Sequence, residues 1–448
     1  MPADNRHLPG TRRHPRATTL ARAVGLFAVA GASLGSTGAR AQSLLELYEG
    51  AHGYDATYLS ARALADSATY RVEQVRALMR PSASLSATAG RTATKPTVGD
   101  NFGSDALSAT LSGRQPLFNR ANNTTITQAE RTLESSLADL DTAEQDLILR
   151  VSQAYFDVLG AQDTLETTRA NKTAIAEQLA SAKRNFEVGT ATITDTREAQ
   201  ARFDLATAQE IAADNDLVSK RIALDQLVGR TNVAPRPLAV PVALPATTNV
   251  PLEELVSRAA DEHPLVRRAQ VAYEVAQLET EKARAQGLPT VDAVASVTGG
   301  HGTIAANATG YNAAGTVGVQ INVPLFAGGS IQNRIRETIV LEERSRNDLE
   351  AARRSVTQAT RQAYYTVQSS AAQVKALEAA EASSQLALEA TQLGYRVGIR
   401  VNVDVLNAQS QLYQTRRDLA RARYDLLLAT LRLRQASGRL VASDVLGI

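Results

Sequence analysis

Apolar residues repeat along this chain with two different periods, each used twice. Between Ser82 and Ala93, Ala83, Leu85, Ala87 and Ala89 alternate with Ser84, Ser86 and Thr88; Leu107, Ala109 and Leu111 alternate in the same way with Ser108, Thr110 and Ser112. Val291, Ala293, Ala295 and Val297 form a third alternating run, and Val317, Val319, Ile321, Val323 and Leu325 a fourth. A period of two puts neighbouring side chains on opposite faces, so these runs predict four strands, each with one apolar and one polar side. Gly/Asn-rich segments, 96–104 and 302–311, join each pair.

After each strand pair the period lengthens. Leu133, Leu137, Leu140, Leu147, Val151, Ala154, Val158, Ala161 and Leu165 follow an alternating four-three spacing broken only at Glu144, and Leu349, Val356, Ala363, Val367 and Val374 form a looser stripe of the same kind. That is a heptad seam. Proline removes a helix donor and clashes with the preceding turn. No proline lies between Pro116 and Pro235 and none follows Pro324, so both tracts admit very long helices.

The two sets are copies of one unit. Pro81 and Pro116 recur 208 residues later as Pro289 and Pro324, and Pro116-Leu117-Phe118 answers Pro324-Leu325-Phe326. At a spacing of 209, Gln153-Ala154-Tyr155 answers Gln362-Ala363-Tyr364, Val188-Gly189 answers Val397-Gly398, Asp195 answers Asp404, and Gly229 answers Gly438. A constant spacing over such a distance marks an internal duplication. The expected organisation is a signal peptide, 1–41; a first repeat, 42–230; a Pro-rich linker, 231–250; a second repeat, 251–438; and a short tail, 439–448. In the first repeat strands occupy about 82–117, a long helix about 119–187 and a medium helix about 193–229; in the second they occupy about 290–325, 328–396 and 402–436. A helix of about 69 residues is about 100 Å long, and the helix expected before the first strands (Ala56 to Arg80) plus the medium helix nearly match it end to end.

Composition agrees with helices packed along their length: 44% of residues are hydrophobic, much of that Ala, while only 4% are aromatic and Trp is absent. Balanced charge, 21% of residues at a net +2, argues against a nucleic-acid binder, which would need a clustered basic surface. Six Arg and one Asp of that balance lie in the first 41 residues, where Arg6 to Arg22 precede the apolar run Ala23 to Leu34 and Ala39-Arg40-Ala41 marks a cleavage site before Gln42. Without them the net charge is −3. The absence of Cys excludes disulfides, thiolate metal sites and a lipid-modified N-terminal Cys. His52, His263 and His301 have no metal-ligand spacing, and His263 before Pro264 suits a helix cap. Gly299-Gly300-His301-Gly302 is not followed by a helix and does not read as a phosphate loop. No catalytic constellation stands out, so the chain is expected not to be an enzyme and to need no cofactor or metal.

Four strands with one lipid-compatible face leave unpaired edges in a bilayer, and closure needs at least about eight strands. Two copies would supply eight and three would supply twelve; a barrel continued by a hollow helical tube favours the larger. The other reading is a periplasmic coiled-coil adaptor or structural rod.

At this point the chain resembles the TolC-like outer-membrane factors of Gram-negative efflux and type I secretion systems. The resemblance rests on Pro-Leu-Phe before each long helix, on Ala154-Tyr155-Phe156, on the run Phe186 to Asp195, and on Gly394 to Arg400 leading into Asp404-Val405-Leu406. Without a lipidation Cys it is nearest the branch typified by TolC. The resemblance implies a mostly α protein with a membrane β-barrel: a homotrimer sharing a 12-stranded barrel in outer-membrane lipid, continued by a 12-helix coiled-coil tunnel in the periplasm. It implies a passive exit duct for protein or small-molecule cargo, served by a periplasmic adaptor (membrane fusion protein) and an inner-membrane ABC or RND transporter. It further implies that Thr194 and Asp195 meet Tyr395 and Arg400 as the links of a periplasmic gate, and that Asp404 lines a constriction ring. The ring's second position is Asn407, where the family carries Asp. Val188, Gly189, Val397 and Gly398 are the expected hairpin tips that meet the adaptor.

Overall fold

A computed structural model describes residues 41–95, 97, 102–238, 250–305 and 308–445. The leader up to residue 40, most of the Pro-rich linker and the last three residues lie outside the described residues.

Each repeat begins with two helices where one was expected. In the first, α1 (Leu44–His52) stops at Gly53, and α2 (Ala56–Arg76) restarts with Asp55 as its cap, the carboxylate accepting the Tyr58 N–H at 2.8 Å. In the second, α5 (Leu252–Glu262) gives way to α6 (Pro264–Ala285) at His263, whose Nδ1 accepts the Leu265 N–H at 3.1 Å with Pro264 in the first turn. The two caps lie 208 residues apart, as the paired prolines do. Near the strands, α2 ends at Arg76 and tightens into a short 3-10 turn, Ala77–Met79, ahead of Pro81, because the residue before a proline is pushed out of the helical region.

The strands are β1 (Ser82–Thr94), β2 (Phe102–Phe118), β3 (Thr290–Ala305) and β4 (Ala308–Asn322), in one antiparallel sheet of order β1-β2-β3-β4. The register carries the alternation across the whole sheet. Leu85 pairs with Leu111, Leu111 with Val297, and Ala295 with Val317; on the other face Ser84 pairs with Ser112, Ser112 with Ser296, and Ser296 with Thr316. Hydroxyls bond across the polar face, Ser84 to Ser112 at 2.8 Å and Thr110 to Thr298 at 3.0 Å. Among the described residues nothing covers the apolar face: Leu85 is 74% exposed, Ile321 64% and Val317 88%.

The long helices are α3 (Arg120–Glu187) and α7 (Ser330–Arg396), of 68 and 67 residues. Asn119 caps α3, accepting the Asn122 N–H, whereas α7 starts beyond Gly328 and Gly329, both at positive φ, so its strand ends earlier, at Asn322, than the alternation to Leu325 predicts. Two shorter helices run antiparallel along each long one. On α3, Asn122 bonds the Leu78 carbonyl and Arg150 clasps Asp55 through both guanidinium nitrogens (2.8 and 2.9 Å), fixing α2 on its first part; Lys220 to Asp157 and Lys172 to Glu210 fix α4 (Ile193–Val228) on its second. On α7, Arg334 to Glu279 and Arg361 to Glu253 mark α6 and α5, and Arg416 to Glu381 marks α8 (Asn402–Ala436).

The largest core gathers where these pairs abut. Leu44, Leu47, Ala51, Leu147, Val151, Val158, Leu224, Val228, Leu427 and Leu431 are buried there, drawn from α1, α3, α4 and α8. A Leu or Val so placed contributes about 1.5–3 kcal/mol by leaving water. Of the predicted seam, Leu147, Val151, Val158, Ala161 and Leu165 are buried, while Leu137 nearer the strands stays 49% exposed.

Candidate gate at the helical hairpin ends

Both long helices end, far from the strands, in the same turn. Gly189 and Gly398 each take φ +79°, a left-handed conformation that glycine adopts without strain. In the first turn the Gly189 N–H donates to the Phe186 carbonyl, and the Thr190 and Ala191 N–H groups to that of Asn185; in the second, Gly398 donates to Tyr395, and Ile399 and Arg400 to Gly394. These bonds satisfy carbonyls that a helix C-terminus would otherwise leave open. Val188 and Val397 project at the two tips, 73% and 60% exposed.

The return helices start differently, and one residue explains why. Thr192 caps α4 in a reciprocal box: its hydroxyl accepts the Asp195 N–H, while the Asp195 carboxylate accepts both the Thr192 N–H (3.0 Å) and its hydroxyl (2.7 Å). The counterpart of Thr192 in the second repeat is Val401, which has no capping oxygen. Asp404, the counterpart of Asp195, therefore has no cap to serve, and its carboxylate faces the Arg400 guanidinium at 3.6 Å. Gly394 makes room for this arrangement, since a Cβ there would lie 2.8 Å from Cγ of Arg400.

Within one chain, no hydrogen bond or ion pair among the described residues joins Thr194 or Asp195 to Tyr395 or Arg400. Asp195 is held by its own cap, Thr194 stands exposed on the first turn of α4, and Arg400 turns to Asp404. Tyr395 does cross between the hairpins, but its hydroxyl accepts from the Asn185 amide at 3.2 Å. Sequence reasoning missed Asn185; its counterpart in the second repeat is Gly394, so the duplication gave no signal for it.

Further along α8 the contacts between hairpins remain polar. Gln178 donates to the buried Asn402 amide, Gln409 to the Asn171 carbonyl at 3.4 Å, and Arg202 to Asn407 Oδ1 at 2.9 Å. Apolar support here is thin: Ile175, Leu179, Ala182, Ala199, Ala206 and Leu406 on one side, Leu388, Val405 and Leu412 on the other. A hydrogen bond contributes about 0.5–1.5 kcal/mol net, so this end is bound less tightly than the large core, and segments with few buried apolar contacts open first.

The model of the family "Outer membrane efflux protein" matches residues 54–230 and again 255–439, one match per repeat. The chain is 34% identical to outer membrane protein TolC of Vibrio cholerae over 94% of its own length and 97% of the relative's. It is 35% identical to the alkaline protease secretion protein AprF of Pseudomonas aeruginosa over 76% of this chain and 71% of that one. Among solved structures, the outer membrane protein VceC of Vibrio cholerae superposes with a TM-score of 0.73 at 19% identity, covering 88% of this chain and 96% of the other, which shows the fold. With each repeat matched separately and a relative aligned nearly end to end, this chain belongs to the outer membrane efflux protein family, whose members are channels seated in the outer membrane with a helical tunnel in the periplasm.

Proposed function

We propose that three copies of this chain close one 12-stranded barrel in outer-membrane lipid and extend it as a 12-helix tunnel, forming the exit duct of a tripartite secretion or efflux system. The observation that carries this reading is the sheet: four long strands with a bare apolar face and two unpaired edges, β1 and β4. In hydrocarbon each unpaired backbone group costs several kcal/mol, so the edges must meet those of other copies. The apolar residues then face lipid, and the Ser/Thr face lines the pore. The name of one relative, alkaline protease secretion protein AprF, supports cargo that includes secreted protein.

The hairpin ends form the gate. Val188, Gly189, Val397 and Gly398 meet a periplasmic adaptor, which couples the duct to an inner-membrane ABC or RND transporter. Thr194, Asp195, Tyr395 and Arg400 together supply the links of the closed state, with Tyr395 resting on Asn185 and Arg400 on Asp404, and Asp404 with Asn407 rings the constriction. Links worth about 0.5–1.5 kcal/mol each hold a closed state that a partner's binding energy can outweigh. Light scattering of the detergent-solubilised protein should give a mass of three chains, and planar bilayers should show discrete conductance steps. Release by osmotic shock as a water-soluble monomer would sink the duct and restore the adaptor or rod reading.

A further inference from the structure

Each of the two proposed ring positions is engaged by an arginine of its own chain. Arg400 faces Asp404 at 3.6 Å from one turn earlier on α8, and Arg202 reaches from α4 to bond Asn407 at 2.9 Å. Among the described residues the acidic neighbour of Arg202 is Glu198, at 3.9 Å. The groove that continues from Asn407 between α4 and α8 is lined by Arg202 and Arg417 together with Gln209, Gln411 and Gln414, and no carboxylate lines it.

We infer that Arg202 is a specificity-determining residue of the duct, a cation placed at the second ring position that cancels the acidic character of the first. This rests on reading Asp404 and Asn407 as the constriction. Per copy, the positive charges of Arg202 and Arg400 meet the negative charges of Asp404 and Glu198, and Asn407 adds none. The constriction is then neutral, whereas three carboxylates alone would concentrate cations. The partner of Arg202 at the ring is a neutral amide, so the bond to Asn407 does not offset its positive charge. Its field also extends along the α4–α8 groove, which suits the duct to anionic or mixed-charge cargo that a bare acidic ring would repel.

Reversal potentials in planar bilayers under a potassium chloride gradient test this. Arg202→Gln should raise the preference for K⁺ over Cl⁻ by about threefold or more, and should lower by about tenfold the concentration of trivalent La³⁺ that blocks the pore. Arg202→Lys keeps the charge and loses the forked guanidinium geometry, so it should stay at the unsubstituted value. An Arg202→Gln channel whose reversal potential matches the parent overturns the inference. So does an Arg202→Lys channel that moves with Arg202→Gln, since the bond would then matter and the charge would not. Asp404→Asn tests the ring reading alone. If it leaves cation preference unchanged in a channel that still conducts, the ring lies elsewhere and the role of Arg202 falls with it, while the duct stands.

Discussion

The Tyr424 hydroxyl donates a 2.6 Å hydrogen bond to the Asp163 carboxylate, tying α8 of the second repeat to α3 of the first across 261 residues of sequence. Gly160, one turn before Asp163, lies beside the Tyr424 ring, which a Cβ there would meet at an ordinary contact distance of 3.7 Å, and the ring stacks on Phe156. Burial raises the Asp163 carboxyl above its ordinary value although the Tyr424 bond pulls the other way, and burial together with that same carboxylate pushes the phenol up.

A raised carboxyl pKa means that the folded state keeps a proton which the unfolded chain has already lost. Stability contributed by Asp163 is therefore greatest in acid and declines as pH rises from about 4 through the raised value. Asp163→Asn keeps an acceptor for Tyr424 and removes the titration. Thermal melts followed by circular dichroism should show the parent losing Tm over this window relative to the variant, with the gap constant above it.

At the hairpin ends, Tyr395→Phe combined with Arg400→Ser removes the bond to Asn185 and the partner of Asp404. Single-channel conductance in planar bilayers should rise. Asn185→Ala should reproduce the Tyr395→Phe share of that rise; an unchanged conductance in the double variant would remove these residues from closing the duct.

Thr192→Ala deletes the hydroxyl that starts α4, at a cost of about 0.5–2 kcal/mol. The same substitution at Val401 removes no cap. Limited proteolysis at the two turns should therefore speed up at the first after Thr192→Ala and change little at the second after Val401→Ala.

Asn407→Asp places a carboxylate against Arg202, so its charge is largely spent on that guanidinium. Block by trivalent cations should strengthen only modestly in the single variant and much more when Arg202→Gln is added. Block by Asn407→Asp no stronger than the parent's, with or without Arg202→Gln, would place Asn407 away from the pore.

Gly229 ends α4 at φ +70°, and a Cβ there would lie 2.4 Å from the Tyr54 ring. Gly229→Ala meets both backbone strain and a clash with a rigid ring, so we expect a loss of about 1–3 kcal/mol, read as a lower Tm. Adding Tyr54→Ala should recover the part due to the clash.

The strands and long helices could be read from the sequence because their signals are local: strict alternation from Ala83 to Ala89, proline-free tracts, a repeat of constant spacing. The breaks at Asp55 and His263 were only half visible. His263 before Pro264 suggested a cap, but Asp55 needed the observation that Gly53 closes one helix immediately before it. Partners at the gate were harder still. Arg202 and Asn407 lie 205 residues apart and Asn185 and Tyr395 lie 210 apart, on helices whose rotation about their axes decides which side chains meet. No periodicity in the chain encodes that rotation. The resemblance named residues that all lie at or near the hairpin ends, yet within one chain Asp195 serves Thr192 and Arg400 serves Asp404.

The contrast between Thr192 and Val401 also bears on how the mouth would dilate. Three copies assembled as proposed would carry six bends in two alternating kinds, one clamped by a threonine and one left unbuttoned. A sixfold iris would demand that all move together; here every second blade is loose at its root. Widening would begin with the α7–α8 blades swinging outward past a standing ring of α3–α4 neighbours.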